Sequence, residues 1–189
     1  MAKNRPVNNL TLNSILKIAT FFLFLLPATI DVSAQQHLSF YAEIQQFKKL
    51  DSAHFPPKNA ILFVGSSSFT KWQDVQAYFP GKTIINRGFG GSELTDVIRY
   101  ANDIIVPYYP KQIVIYVGEN DLAYADSITP AIVLKRFETL FSTIRSALPV
   151  VPIIFVSIKP SPSRVKLMPA MVEANKFIKQ FLQTKKKTV

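Results

Sequence analysis

Short uninterrupted apolar runs alternate along the chain with longer stretches in which apolar residues recur every three or four positions. The uninterrupted runs are Ala60 to Gly65 (AILFVG), Thr83 to Asn86 (TIIN), Gln112 to Val117 (QIVIYV) and Pro152 to Ile158 (PIIFVSI). Continuous rather than alternating hydrophobicity predicts strands covered on both faces. Helical spacing predicts a short helix around Phe69 to Phe79, then helices over Glu93 to Ile105, Pro130 to Leu148 and Pro169 to about Lys186. Thr129-Pro130 offers an N-cap followed by proline at the first helical position. In the helix that follows, Ile132, Val133, Phe137, Leu140, Phe141, Ile144 and Leu148 form one stripe, with Lys135, Glu138 and Arg145 outside it. Ahead of the first strand, Leu38, Tyr41, Ile44, Phe47 and Leu50 predict an amphipathic helix over 38–50, ended by Pro56-Pro57. Strand and helix alternate throughout, which predicts an α/β fold of one domain. Its parallel sheet is wrapped by helices, with right-handed crossovers and ligands bound beyond the carboxyl ends of the strands.

The first residues change the picture of location. Lys3, Arg5 and Lys17 precede an apolar run from Ile18 to Ile30, followed by Val32-Ser33-Ala34, a small-residue site of the kind signal peptidase cuts. The run is short of the ~20 residues that span a bilayer, and Pro27 interrupts it. The expectation is a signal peptide over 1–34, cleaved near Ala34, and an exported protein, periplasmic or secreted, with no stable membrane span afterwards. A helix and connector over 35–58 and the main domain over 59–189 complete the organisation. With no cysteine in the sequence, neither disulfides nor a lipid-modified cysteine after the leader enter the account. A formal net charge of +10 could suggest nucleic acid. The basic residues are scattered, however, without a stripe interleaved with aromatics, and Lys185-Lys186-Lys187 suits the end of a helix. Nucleic-acid binding is therefore not expected.

Three strands each deliver a candidate at the same end of the sheet. The first runs into Gly65-Ser66-Ser67-Ser68, a turn that can present a serine Oγ above the sheet beside unpaired N–H groups. On its own a serine-rich turn is more simply a helix cap. The second ends in Asn86-Arg87-Gly88-Phe89-Gly90-Gly91-Ser92, whose glycines permit close approach of backbone to a ligand but do not match the dinucleotide fingerprint. By itself it is equally a tight βα turn. The third ends in Gly118-Glu119-Asn120-Asp121, where an asparagine N–H₂ could donate to an oxyanion, and where a plain turn is the competing reading.

In this order and spacing the three loops resemble the SGNH (GDSL-like) hydrolase family, over about residues 58 to 184. The family's Gly-Asp-Ser block is matched by Gly65-Ser66-Ser67, with Ser66 in place of the usual Asp; its Asn and, five positions on, its Gly by Asn86 and Gly91; its Gly-x-Asn-Asp by Gly118 to Asp121. Ile158 to Arg164 (IKPSPSR) is similar to the loop after the fourth strand in bacterial members. The resemblance implies a three-layer, flavodoxin-like parallel sheet of strand order 2-1-3-4-5. It implies Ser67 as nucleophile, and an oxyanion hole from the Ser67 N–H, the Gly91 N–H and the Asn120 side chain. It implies no cofactor, and a small acyl ester as substrate, acetylated carbohydrate being one candidate. Trp72 could form part of a sugar-stacking wall, although core packing is the simpler role.

The family's last block, Asp-x-x-His after a fifth strand, has no counterpart here. The two histidines, His37 and His54, both precede the first strand. A six-residue strand separates its ends by roughly 20 Å, whereas a general base must come within about 3 Å of its proton, directly or through one water. His54 is therefore a poor base for Ser67, and Lys159, at the correct end, would need burial to lose its proton. No cluster of metal ligands is evident in the sequence. The expectation is an esterase that lacks its last strand and its catalytic Asp/His loop, the alternative being a non-catalytic ester- or glycan-binding module. Without a fifth strand, Val150 to Ile158 becomes a long apolar edge, an aggregation hazard. The 189-residue product should accordingly be poorly soluble and nearly inactive. Purifying it as a stable monomer whose esterase turnover is abolished by Ser67→Ala would overturn that expectation.

Overall fold

The computed structural model describes residues 39–188, so the leader and its cleavage site lie outside the described residues. Within that span four strands form one parallel sheet in the order β2-β1-β3-β4. They are β1 (Ile61–Gly65), β2 (Ile84–Gly88), β3 (Gln112–Tyr116) and β4 (Ile153–Phe155). The helices are α1 (Tyr41–Ala53), α2 (Ser67–Thr70), α3 (Leu94–Arg99), α4 (Ala101–Ile104), α5 (Glu119–Tyr124), α6 (Pro130–Ala147) and α7 (Met168–Gln183). The α/β alternation and the order of the first four strands are as expected.

Side chains alternate across the sheet because successive residues of a strand point to opposite faces. Leu62 and Val64, with Ile113, Ile115 and Ile153, join the main core, to which α1, α3, α4, α6 and α7 contribute Ile44, Val97, Ile104, Phe137 and Ile178. Phe63, Val114 and Tyr116 face the other way, into a smaller cluster with Phe69 of α2 and Val75 of a 3-10 helix (Val75–Tyr78). Both faces are thus covered, as the continuous hydrophobicity requires, but unequally. The smaller face is filled by rings: Phe63 meets Phe69, Trp72 and Phe79 with centroids 5.1, 6.0 and 5.7 Å away. Trp72 is part of this packing.

Several boundaries differ from the sequence reading. β2 runs on to Gly88, two residues past the expected end at Asn86, so Arg87 and Gly88 lie within the strand rather than beyond it. The stretch 69–79 is split into α2 and the 3-10 helix, and 93–105 divides at Tyr100 into α3 and α4. The first helix sits three residues later, at 41–53, and Ile132 is exposed while Leu134 packs on the core. Arg145 turns back to donate to the Val151 carbonyl at 2.6 Å.

The expected long edge strand at 150–158 is also shorter. Pro152 has no N–H to contribute, and beyond Phe155 the Asn175 carboxamide takes over the backbone of Ile158, accepting its N–H and donating to its carbonyl, both at 2.8 Å. On the outer side, the Ile153 N–H donates to the Lys187 carbonyl at 3.0 Å, and Thr188 pairs parallel with Ile153.

Near the carboxyl end of β2, Arg87 holds α1 to the sheet. Its guanidinium pairs with Asp51, donates to the Tyr108 hydroxyl at 2.7 Å and lies 5.1 Å from the centre of the Phe47 ring. Tyr108 in turn donates to Asp51.

Gly65, the last residue of β1, has φ +144°, and a Cβ there would lie 2.0 Å from the Tyr116 carbonyl oxygen. The strands touch at this point because no side chain intervenes. Gly65→Ala should therefore cost roughly 3 kcal/mol or more in unfolding free energy, combining backbone strain with overpacking, as read by urea denaturation. A loss below 1 kcal/mol would contradict the close approach.

Candidate active site

The first loop begins where β1 ends. Ser66 is buried, donates its N–H to the Tyr116 carbonyl at 3.0 Å, and accepts from the N–H groups of Phe69 and Thr70 through its own carbonyl. Its side chain makes no capping hydrogen bond. Ser67 is the first residue of α2 and half-buried, so its N–H has no place in the helical ladder.

Asn86 ties this loop to the second strand. From within β2 its Nδ2 donates to the carbonyls of Phe69 (2.7 Å) and Trp72 (3.2 Å), while its Oδ1 accepts from the Gly88 N–H at 2.9 Å. Both ends of the carboxamide are thus engaged, between the end of β2 and the segment that follows Ser67, which makes Asn86 a positioning residue for the Ser67 turn. Gly88 fits closely under the same turn, since a Cβ on it would stand 2.7 Å from both the Phe69 Cβ and the Thr70 N.

Beyond β2 the chain passes Gly90 and Gly91, both exposed. A Cβ at Gly90 would be 3.9 Å from the Cβ of Ser67, which puts the glycine loop beside the candidate nucleophile. Gly91 has φ +90°, a conformation glycine adopts without the strain a Cβ would bring. Phe40 borders it, its ring 3.9 Å from where such a Cβ would lie and packed edge-on against Phe89. The third loop joins through Asn120, whose Nδ2 donates to the Ser92 carbonyl at 3.0 Å. Ser67, Gly91 and Asn120 thus stand on three loops that touch or bond in sequence. The third loop is itself helical: α5 starts at Glu119, directly after Gly118 at φ +116°.

Beneath the second and third loops lies a buried ionic network. Asp121, 0% exposed, accepts from Arg136 at 2.7 Å with one oxygen and from the Leu94 N–H at 3.0 Å with the other. Arg136 also donates to Glu93 at 2.9 Å. Burial pushes the Asp121 carboxyl above the ordinary carboxylate range, against the pull of Arg136 and the Leu94 N–H. Glu93 is raised by burial and by the neighbouring Asp121 charge. Arg136 carries no signal in the sequence; it interrupts the apolar stripe of α6, four residues from both Ile132 and Leu140, and only the fold shows that it meets two carboxylates there.

A second polar group borders the third loop. Glu119 accepts from Tyr116 Oη at 2.9 Å and from Ser161 Oγ at 3.2 Å, and Arg164 lies 3.3 Å from it. Burial, then the hydrogen bond to Glu119, pushes the Tyr116 phenol up to about 12. His54, by contrast, follows the last residue of α1 ahead of β1 and is exposed; Lys159 is exposed beyond β4. Among the described residues no group of three or more histidine, aspartate or glutamate side chains could hold a metal ion, and no helix is long and apolar enough to cross a membrane.

Neither a family model nor a curated protein matches the sequence, whereas solved structures do. An acylhydrolase candidate from Bacteroides fragilis superposes with TM-score 0.67 at 18% identity, covering 79% of this chain and 76% of that one. The chain has the SGNH (GDSL-like) hydrolase fold. A GDSL-like lipase from Bacteroides thetaiotaomicron gives TM-score 0.64 at 17% identity, covering 76% and 75% of the two chains. An acetyl xylan esterase from Geobacillus stearothermophilus gives 0.51 at 19%, covering 68% and 74%. The SGNH-type sheet therefore persists at identities where sequence comparison alone no longer connects the chains.

The Asp121 network should be measurable as stability. Asp121→Ala removes one partner of a buried pair and strands the Leu94 N–H, at an expected cost of about 3–5 kcal/mol. Asp121→Asn, which can still accept from Leu94, should cost less. Equal losses for the two variants in chemical denaturation would show that the acceptor kept for the Leu94 N–H contributes nothing and that the whole loss lies in the charge.

Proposed function

We propose that the protein is an exported serine esterase or acylhydrolase acting on small acyl esters, with Ser67 as nucleophile. The observation that carries this reading is the convergence of three loops: Ser67 opens α2 beside Gly90, and Asn120 is bonded to the same glycine loop through the Ser92 carbonyl. Ser67 Oγ attacks the ester carbonyl as a base from outside the described residues takes its proton, which then goes to the departing alcohol; the carbonyl oxygen becomes an oxyanion facing the N–H groups of Ser67 and Gly91 and the Nδ2 of Asn120. Collapse of the tetrahedral species expels the alcohol and leaves an acyl group on Ser67, which water then releases. Family-type chemistry of this kind uses no cofactor. The acetyl xylan esterase among the structural neighbours supports acetylated carbohydrate as one substrate class, and the leader over 1–34 supports action outside the cytoplasm.

The proton acceptor is the unfilled role. Among the described residues the single histidine, His54, stands at the amino side of β1 and is exposed. Turnover by this chain alone is therefore expected to be slow, sustained by the oxyanion donors without an internal base. That same observation favours, as a second reading, a module that holds an ester or glycan without cleaving it.

An external base separates the two. With imidazole supplied in solution, an organophosphonate should form an adduct at Ser67, followed by intact mass, and Ser67→Ala should show none. Asn120→Ala should slow adduct formation by roughly 10²- to 10³-fold, the effect of losing one oxyanion donor. No adduct with or without imidazole would overturn the esterase reading in favour of binding.

A further inference from the structure

The loop after β4 carries Arg164 to the third loop, where its Nη1 donates to Asn120 Oδ1 at 2.9 Å. Nothing in a guanidinium can accept a hydrogen bond. It therefore dictates which end of a neighbouring carboxamide faces it. Asn120 must turn its oxygen towards Arg164, because the flipped amide would set N–H against N–H. The Ser92 carbonyl imposes the complementary demand from the other side, since it can only accept, and it takes one Nδ2–H at 3.0 Å. Among the described residues no partner claims the second Nδ2–H.

Arg164 is itself held. Glu119, the residue before Asn120, lies 3.3 Å from the guanidinium and is fixed by Ser161 Oγ at 3.2 Å and Tyr116 Oη at 2.9 Å. Pro160 and Pro162 flank Ser161 and restrict the backbone of this loop, which lowers the entropy lost in holding it. Arg164 breaks the 3-10 helix Pro162–Leu167 with φ −125° and ψ 23°, and its side chain is 32% exposed.

We propose that Arg164 is the positioning residue of the oxyanion hole: anchored by Glu119, it locks the Asn120 carboxamide with its N–H₂ end turned to the reacting carbonyl and polarises that amide as a donor. The inference rests on the reading of Asn120 as an oxyanion donor. A bond from a cation to the amide oxygen draws electron density from the nitrogen and strengthens the remaining N–H as a donor. Arg164 touches no reacting atom in this role; it acts through Asn120.

The test uses the full chain and two readouts. The first is the side-chain N–H₂ pair of Asn120 in a ¹H–¹⁵N spectrum, assigned by its loss in Asn120→Ala. Arg164→Ala should move the pair towards the position of a free asparagine and speed its exchange with solvent, while Arg164→Gln, which restores an uncharged donor, should recover part of the change. The second is the rate of organophosphonate adduct formation at Ser67 with imidazole. Arg164→Ala should lower it about 10- to 100-fold, and should lower it no further in a chain already carrying Asn120→Ala. An Asn120 pair that stays in place in Arg164→Ala, or losses that multiply in the double variant, would overturn the proposal. Should Arg164→Ala fail to fold, Arg164→Gln carries both comparisons. If the unaltered chain forms no adduct, the esterase reading fails by itself, and the Asn120 signals still decide whether the clamp exists.

Discussion

A carboxylate with no access to water must find its charge partners inside the protein, and Asp121 finds them on three different elements. It sits on α5, accepts from the backbone at the start of α3, and pairs with Arg136 of α6. An unpaired charge at this depth would cost several kcal/mol, so these elements cannot drift apart independently. The loop that carries Gly91 leads into α3, and Asn120 stands in the first turn of α5. Holding the helix starts together therefore holds the loops together, and the geometry at the sheet's carboxyl end follows from a buried ion pair one layer below it. Glu93 extends the same constraint by sharing Arg136.

The nucleophile turn depends on a different device. Gly65 brings β1 against the Tyr116 carbonyl, and Asn86 reaches from the next strand to hold the carbonyls of Phe69 and Trp72. Backbone contact fixes where the turn starts, and a side-chain amide fixes where it goes. The aromatic cluster around Phe63 fills the space beneath. No part of the candidate site is thus carried by a free loop, which suits chemistry that needs donors placed before the reaction begins.

Much of this was legible in the sequence. Uninterrupted apolar runs located all four strands, and the glycines and serines after them marked the working end of the sheet. What escaped was set by partners distant in the chain. β2 reads as ending at Asn86 because polar and glycine residues follow the TIIN run, yet Arg87 remains in the ladder and pairs with Asp51 and Tyr108. The Gly118 to Asp121 segment is open in the sequence between a donor loop and a plain turn, and the structure makes it the start of a helix whose polar residues bond to distant parts of the chain. β4 reads as more than twice its length because hydrophobicity does not reveal that Asn175 will intercept the backbone of Ile158. Arg136 carries no local signal at all, and Arg164 stands in a segment marked only by the family resemblance; their importance exists only in the company of Asp121 and Asn120.

The stitch made by Asn86 couples assembly to function. Its side chain reaches the first loop only if Phe63 lies opposite Asn86 in the ladder. A slip of one residue would turn that side chain to the other face of the sheet and release the carbonyls of Phe69 and Trp72. A chain with β2 misaligned would therefore keep a sheet but lose the shape of its serine turn. Correct pairing and a competent turn arise in the same event, and the amides around α2 should exchange through the opening of β2 rather than by any motion of their own.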